Sequence, residues 1–228
     1  REDGDDPHRL ARLFRARAGT DARSRVTLRR WGRGWWRYEN GAYQLEHHED
    51  LTAAVTDVVK QEFDTRPVLT RTRCIRPVTK TVVQNVINAL TSFRDLRVPD
   101  TVTLPAWLGQ APADREYLAV KNGLLDVRAW LADDASVLDP HTPEWFTPVC
   151  LPYEFDPTAT CPKWEEFVKW MFQHDDALIR FVQEWFGYCL VLDHSQQVFV
   201  IVVGDGANGK SVLLQTLKHL VGHKNCSS

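Results

Sequence analysis

Residues 204–211 read Gly204-Asp205-Gly206-Ala207-Asn208-Gly209-Lys210-Ser211, the pattern G-x-x-x-x-G-K-S. Glycines let the backbone turn so that several N–H groups face one point, and they carry no Cβ to keep a phosphate away. Lys210 can set its ammonium against β and γ phosphates, and the Ser211 hydroxyl can ligate the Mg²⁺ that bridges them. The chemistry is that of a nucleoside triphosphate held as its magnesium complex. A nucleoside triphosphate and Mg²⁺ are therefore the expected ligands. Lys210 is the expected catalytic side chain, Ser211 the metal ligand, and the whole run from Gly204 to Ser211 the nucleotide-binding loop.

Such a loop works only between a strand and a helix, and the flanking residues predict both. Phe199, Val200, Ile201, Val202 and Val203 form an unbroken apolar run, as expected of a strand buried on both faces. Leu213, Leu214, Leu217, Leu220 and Val221 then recur at helical spacing, and Gly222 is placed to end the helix. The helix directs its positive N-terminus at the loop. Gly204, Gly206 and Gly209 also fit G-x-G-x-x-G, the dinucleotide fingerprint. That reading needs an acidic residue about 20 positions on, and residues 221–228 contain no Asp or Glu.

The chain has 228 residues, 43% hydrophobic and 25% charged, enough for one large or two ordinary cores. No apolar run approaches the length of a membrane span, and the first ten residues are too charged for a signal peptide. Cys74, Cys150, Cys161, Cys189 and Cys226 are odd in number and widely spaced, which suggests reduced thiols and a cytoplasmic setting rather than a disulfide framework or a zinc site. The first residue is Arg, and the acidic strand that a P-loop enzyme needs does not follow the loop, so the chain is expected to be a piece of a longer protein.

Net charge is −2, yet it is unevenly spread. Between Pro7 and Arg37 there are ten arginines and one acid, Asp21, whereas residues 98–228 carry 9 basic and 17 acidic side chains. Residues 8–18 are expected to form a short basic helix. Trp35 to Leu45 then alternates across Asn40-Gly41, a strong hairpin signal because both turn positions favour positive φ. Two readings of this region stay open. Arg29, Arg30 and Arg33 with Trp35 could bind nucleic acid by phosphate neutralisation and base stacking. Alternatively, the tryptophans form the core of a small β unit whose solvated face is arginine, which suits Trp36 and Tyr38. Helices are expected over 50–63 and 79–90, separated by the basic, proline-containing linker 66–76. The adjacent His47 and His48 cannot share a helical face and read as surface.

Farther on, Val120-Lys121-Asn122-Gly123-Leu124-Leu125-Asp126-Val127, His141-Thr142-Pro143, Leu151 to Pro157, Cys161-Pro162-Lys163-Trp164 and Gln183 to Leu190 lead in order into the glycine-rich loop. This series resembles the phage and plasmid primase family of superfamily III helicases, related to the poxvirus-type primase-helicases. The resemblance is clear over about 104–225 and looser before that. It implies an ATP-dependent replicative DNA helicase, with single-stranded DNA as partner, self-association into a ring, and no membrane. It also implies that Asn208 matches the Asn preceding Gly-Lys in the family's loop, and that a Walker B acid pair, a sensor residue and an arginine finger lie outside this chain.

The expected architecture is mixed α/β. A tail (1–7) precedes a basic α/β unit (8–63, hairpin at 35–45), then a linker and helix (64–103). A mostly helical module (104–195) follows, with Gly187 suggesting close helix packing, and then the first strand, loop and helix of a P-loop NTPase domain (196–228). Two other functional classes fit the residues: a nucleic-acid-binding module with an inactive P-loop, and a P-loop kinase.

Overall fold

The computed structural model describes residues 5–65, 77–110, 115–134, 136–191, 195–204, 206 and 208–226. The fold is mixed α/β, with seven α-helices and small antiparallel sheets among these residues. The chain divides into two units, Arg1–Ala111 with Thr142–Pro148, and Pro112–His141 with Val149–Ser228.

In the first unit, helix α1 (Pro7–Ala18) starts where Asp6 accepts the Arg9 N–H at 2.7 Å and Pro7 fills the first turn. Helix α2 (His48–Thr65) buries Leu51, Val55, Val58, Val59 and Phe63, one stripe at helical spacing. Helix α3 (Lys80–Leu90) is capped by Thr79 and buries Val83, Val86, Ile87 and Leu90. These two stripes merge with Leu10 and Phe14 of α1 and with Leu28 into one core. The expected linker at 66–76 lies outside the described residues.

Strands β1 (Leu28–Trp31), β2 (Gly34–Glu39) and β3 (Ala42–Glu46) form an antiparallel meander. Asn40 (φ 50°) and Gly41 (φ 87°) make the two-residue turn between β2 and β3. Alternation along the strands divides the side chains between two faces. Leu28 and Trp35 face the helical core. Trp31, Trp36, Tyr38 and Tyr43 face a second, aromatic core with Phe146, Val98 and Leu108. Phe146 comes from a two-stranded pair, β4 (Ala106–Trp107) with β8 (Trp145–Phe146). The Tyr43 hydroxyl donates to the Pro143 carbonyl at 2.6 Å, fixing this later segment to the meander.

The second unit contains the sheet β5 (Tyr117–Val120), β6 (Gly123–Asp126) and β7 (Leu138–Asp139), with β6 in the middle. Asp126 caps the short helix α4 (Val127–Leu131). At the β5–β6 corner, Asn122 donates to the Phe155 carbonyl and accepts the Phe155 N–H, both at 2.9 Å, so one amide imitates a strand pair. Helices α5 (Pro162–Met171), α6 (Asp176–Tyr188) and α7 (Lys210–Val221) share a core built on Val182, Phe186 and Leu213.

Three expectations change. Residues 104–195 carry five short strands beside their helices rather than being mostly helical, because strands of two to four residues are too short to show alternation. Gly187 is exposed, and a Cβ there would meet nothing within 4 Å, so it marks no close helix packing. The buried strand over 199–203 is absent: the run pairs with no described strand, and Phe199, Ile201 and Val203 are 83%, 70% and 87% exposed. A central parallel strand takes its form from neighbours on both sides, and the described residues supply none.

Candidate functional site

The glycine-rich loop is organised from its helix end. Gly209 caps α7 at φ 84°, a left-handed conformation that glycine adopts without strain. A Cβ at this position would come within 3.1 Å of the Phe167 ring and 3.4 Å of the Trp170 ring, so α5 holds the loop by ring packing against a bare Cα. Helix α7 is anchored one turn later by Leu213, 1% exposed, with Leu217 and Leu220 continuing the same face against α5 and α6.

The Lys210 ammonium bends back over the loop and donates to the Gly204 carbonyl at 2.6 Å and to the Asn208 side-chain oxygen at 2.7 Å. It thereby ties the start of the loop to its end. Gly206 has open space where a Cβ would stand, and Ser211 is exposed at the first turn of α7. Asp205 and Ala207 lie outside the described residues. The arrangement sets a lysine and a helix N-terminus at one loop, which suits an anion.

The arginine-rich region sorts into two groups. Five of its ten arginines are matched to acids within the first unit. Arg9 and Arg17 reach Glu62, which is only 3% exposed. Arg15 pairs with Asp95, Arg25 with Asp21, and Arg37 forms two 2.8 Å hydrogen bonds to Glu46. Arg29 donates to the Asp95 carbonyl. Of the side chains singled out for nucleic acid, Trp35 packs against the helical core, while Arg30 and Arg33 have no acidic partner among the described residues. Trp31 and Trp36 stand edge-on to each other and to Phe146, with ring centroids 5.7–6.3 Å apart. They offer a core rather than a stacking platform.

Arg97, which attracts no notice in the sequence, stands beside Arg30, and Arg94 lies one 3₁₀ turn before it. Arg97 forms a parallel bridge with Arg30, and the neighbouring Val98 N–H donates to the Arg30 carbonyl at 2.9 Å. This adjacency links residues 67 apart in sequence, so no local pattern announces it. Among the described residues there is no group of three or more His, Cys, Asp or Glu able to hold a metal, and no helix long and apolar enough to cross a membrane.

Compared with known proteins, the chain matches no curated protein. One family model, described as "D5 N terminal like", matches residues 11–173. The match takes in the basic α/β unit, so the likeness seen in the sequence from about residue 104 reaches back almost to the N-terminus. It stops before the glycine-rich loop. The chain belongs to the D5 N-terminal-like family, the N-terminal region of primase-helicase proteins of phage and plasmid type.

Proposed function

We propose that the chain is the N-terminal part of an ATP-dependent replicative DNA helicase and binds ATP-Mg²⁺ through the loop Gly204 to Ser211. The observation that carries this reading is the Gly209–Lys210 junction: a left-handed glycine capping α7, with the following lysine turned inward across the loop. The backbone amides from Gly206 to Lys210 would cradle phosphate oxygens. Lys210 would exchange internal acceptors such as the Gly204 carbonyl for the β and γ phosphates, and Ser211 would hold the Mg²⁺. The magnesium ion supplies charge neutralisation at the phosphates being separated.

The exposed apolar run at 198–203 supports the same reading, since it has the composition of a central parallel strand with its neighbours missing. Val212 and Leu214, about half exposed on α7, suit a helix that has a sheet still to cover. In the intact parent, a ring of subunits would place ATP between neighbours and single-stranded DNA in the channel.

Binding of a fluorescent ATP analogue to the chain tests the site. Lys210→Ala is expected to weaken binding at least tenfold, about 1.4 kcal/mol, and Ser211→Ala to remove its dependence on Mg²⁺. Binding indifferent to both substitutions would leave a D5 N-terminal-like module with a silent loop. Phosphoryl transfer to a metabolite by the parent protein would replace the helicase with a kinase.

A further inference from the structure

We infer that Arg30, Arg33, Arg94 and Arg97 form a phosphate-binding edge that takes the backbone of single-stranded DNA. This rests on the reading of the parent as a DNA-handling protein but is independent of the P-loop. Arg30 lies on β1, opposite Trp35 of β2, and its other neighbour is Arg97 through the parallel bridge. Bridged backbones run about 5 Å apart, so the Arg30 and Arg97 side chains leave the backbone side by side. Arg94 is one 3₁₀ turn before Arg97, whose N–H donates to the Arg94 carbonyl at 3.2 Å. Arg33 sits in the two-residue turn between β1 and β2, and the Gly32 N–H in that turn donates to Asp100 at 3.2 Å, tying the turn to the segment carrying Arg97.

Like charges placed directly beside each other on a sheet are destabilising. Elsewhere in this unit the fold avoids that cost: Arg9, Arg15, Arg17, Arg25 and Arg37 each have a carboxylate. At this edge it does not. The two acids nearby are already engaged, Asp95 by Arg15 and Asp100 by the Gly32 amide. Four arginines, three exposed and Arg30 half-buried, thus lack an acidic partner among the described residues. A chain of phosphates supplies the missing anions at successive positions. The tryptophans that could have stacked bases are packed into the two cores, so the edge reads charge and not sequence.

The test is a salt titration of a labelled single-stranded oligonucleotide against the full chain. Each phosphate contact contributes about 0.7 to the slope of log affinity against log salt. With four contacts, binding is expected to fall about 50-fold between 50 and 200 mM salt. The variant with Arg30, Arg33, Arg94 and Arg97 all changed to Gln should lose about 3 from the slope while keeping its circular dichroism and thermal midpoint. Arg23→Gln, at an exposed arginine in the turn before β1, controls for net charge, and Lys210→Ala keeps the nucleotide loop separate. Both should bind DNA like the unsubstituted chain. No binding at 50 mM salt, an unchanged slope in the fourfold variant, or an equal loss per charge in Arg23→Gln overturns the inference. So does arginine-dependent binding of polyglutamate with none of DNA, which would assign the edge to an acidic protein.

Discussion

A single methyl group tests the nucleotide loop at Gly209. An L-residue held in the left-handed region costs about 1–2 kcal/mol, and a Cβ here also crowds the Phe167 and Trp170 rings at 3.1–3.4 Å. Gly209→Ala is therefore expected to detach the loop from α5 without unfolding the helices, whose anchor is Leu213. Trp170 emission should shift to the red and ATP-analogue affinity should fall, with helical circular dichroism unchanged. Unchanged emission and affinity would mean that the loop does not depend on this contact. The thiols allow a second check. Burial pushes the Cys150 thiol above its ordinary value, with Lys121 opposing, and burial does the same to Cys189, with Cys226 adding to the shift. Only the thiolate is nucleophilic, so at pH 8 exposed Cys161 should react with a disulfide reagent well before Cys150 and Cys189. Peptide mapping of the labelled Cys74→Ser chain reads the order, and faster labelling of Cys150 would show that its surroundings open.

At the scale of elements, α1 and α2 are joined by a charge as well as by their apolar stripes. Glu62 lies on the buried face of α2 and is met by Arg9 at 2.9 Å and Arg17 at 3.5 Å, both from α1. Removing one partner of a buried pair costs about 3–5 kcal/mol, whereas replacing both sides with apolar groups is often neutral. Arg9→Ala should fall near the lower end because Arg17 remains. The combination of Arg9→Met, Arg17→Leu and Glu62→Leu should recover most of the loss in a urea titration. If Arg9→Ala changes stability by less than 0.5 kcal/mol, as surface pairs do, the pair does not join the helices. The sequence makes α1, α2, α3, α5, α6 and α7 readable because each repeats apolar residues at helical spacing. Turn chemistry made the β2–β3 hairpin equally readable. Strands β4, β7 and β8 escape because two residues cannot show a period. The site divides in the same way: the loop's chemistry is local and readable, while Arg94 and Arg97 reach Arg30 only through a long-range pairing.

Across the whole molecule, the same chain holds well-closed cores and an open one, and the difference lies in what each element has to pack against. The stripes of α1, α2 and α3 close on one another. The run Val198 to Val203 has equally apolar residues but no strand beside it among the described residues, and Val198, Phe199, Ile201 and Val203 are all more than two-thirds exposed. Periodicity and composition report what a segment can bury, not whether its partners are present, which is why the sequence suggested a strand here and the fold shows none. An unpaired apolar run with free backbone N–H and C=O groups is a template for association. The chain is therefore expected to bind an apolar dye in its native state and to self-associate as its concentration rises. Phe199→Lys with Ile201→Lys should reduce both effects, because gatekeeper charges break such templates. The thermal midpoint should stay within a few degrees, since neither side chain contributes to a core. A fall of ten degrees or more would mean that the run is packed in solution. Dye binding and sedimentation unchanged by the two lysines would move the association surface elsewhere, with Leu178 and Phe181 on α6, each about half exposed, as the next pair to substitute.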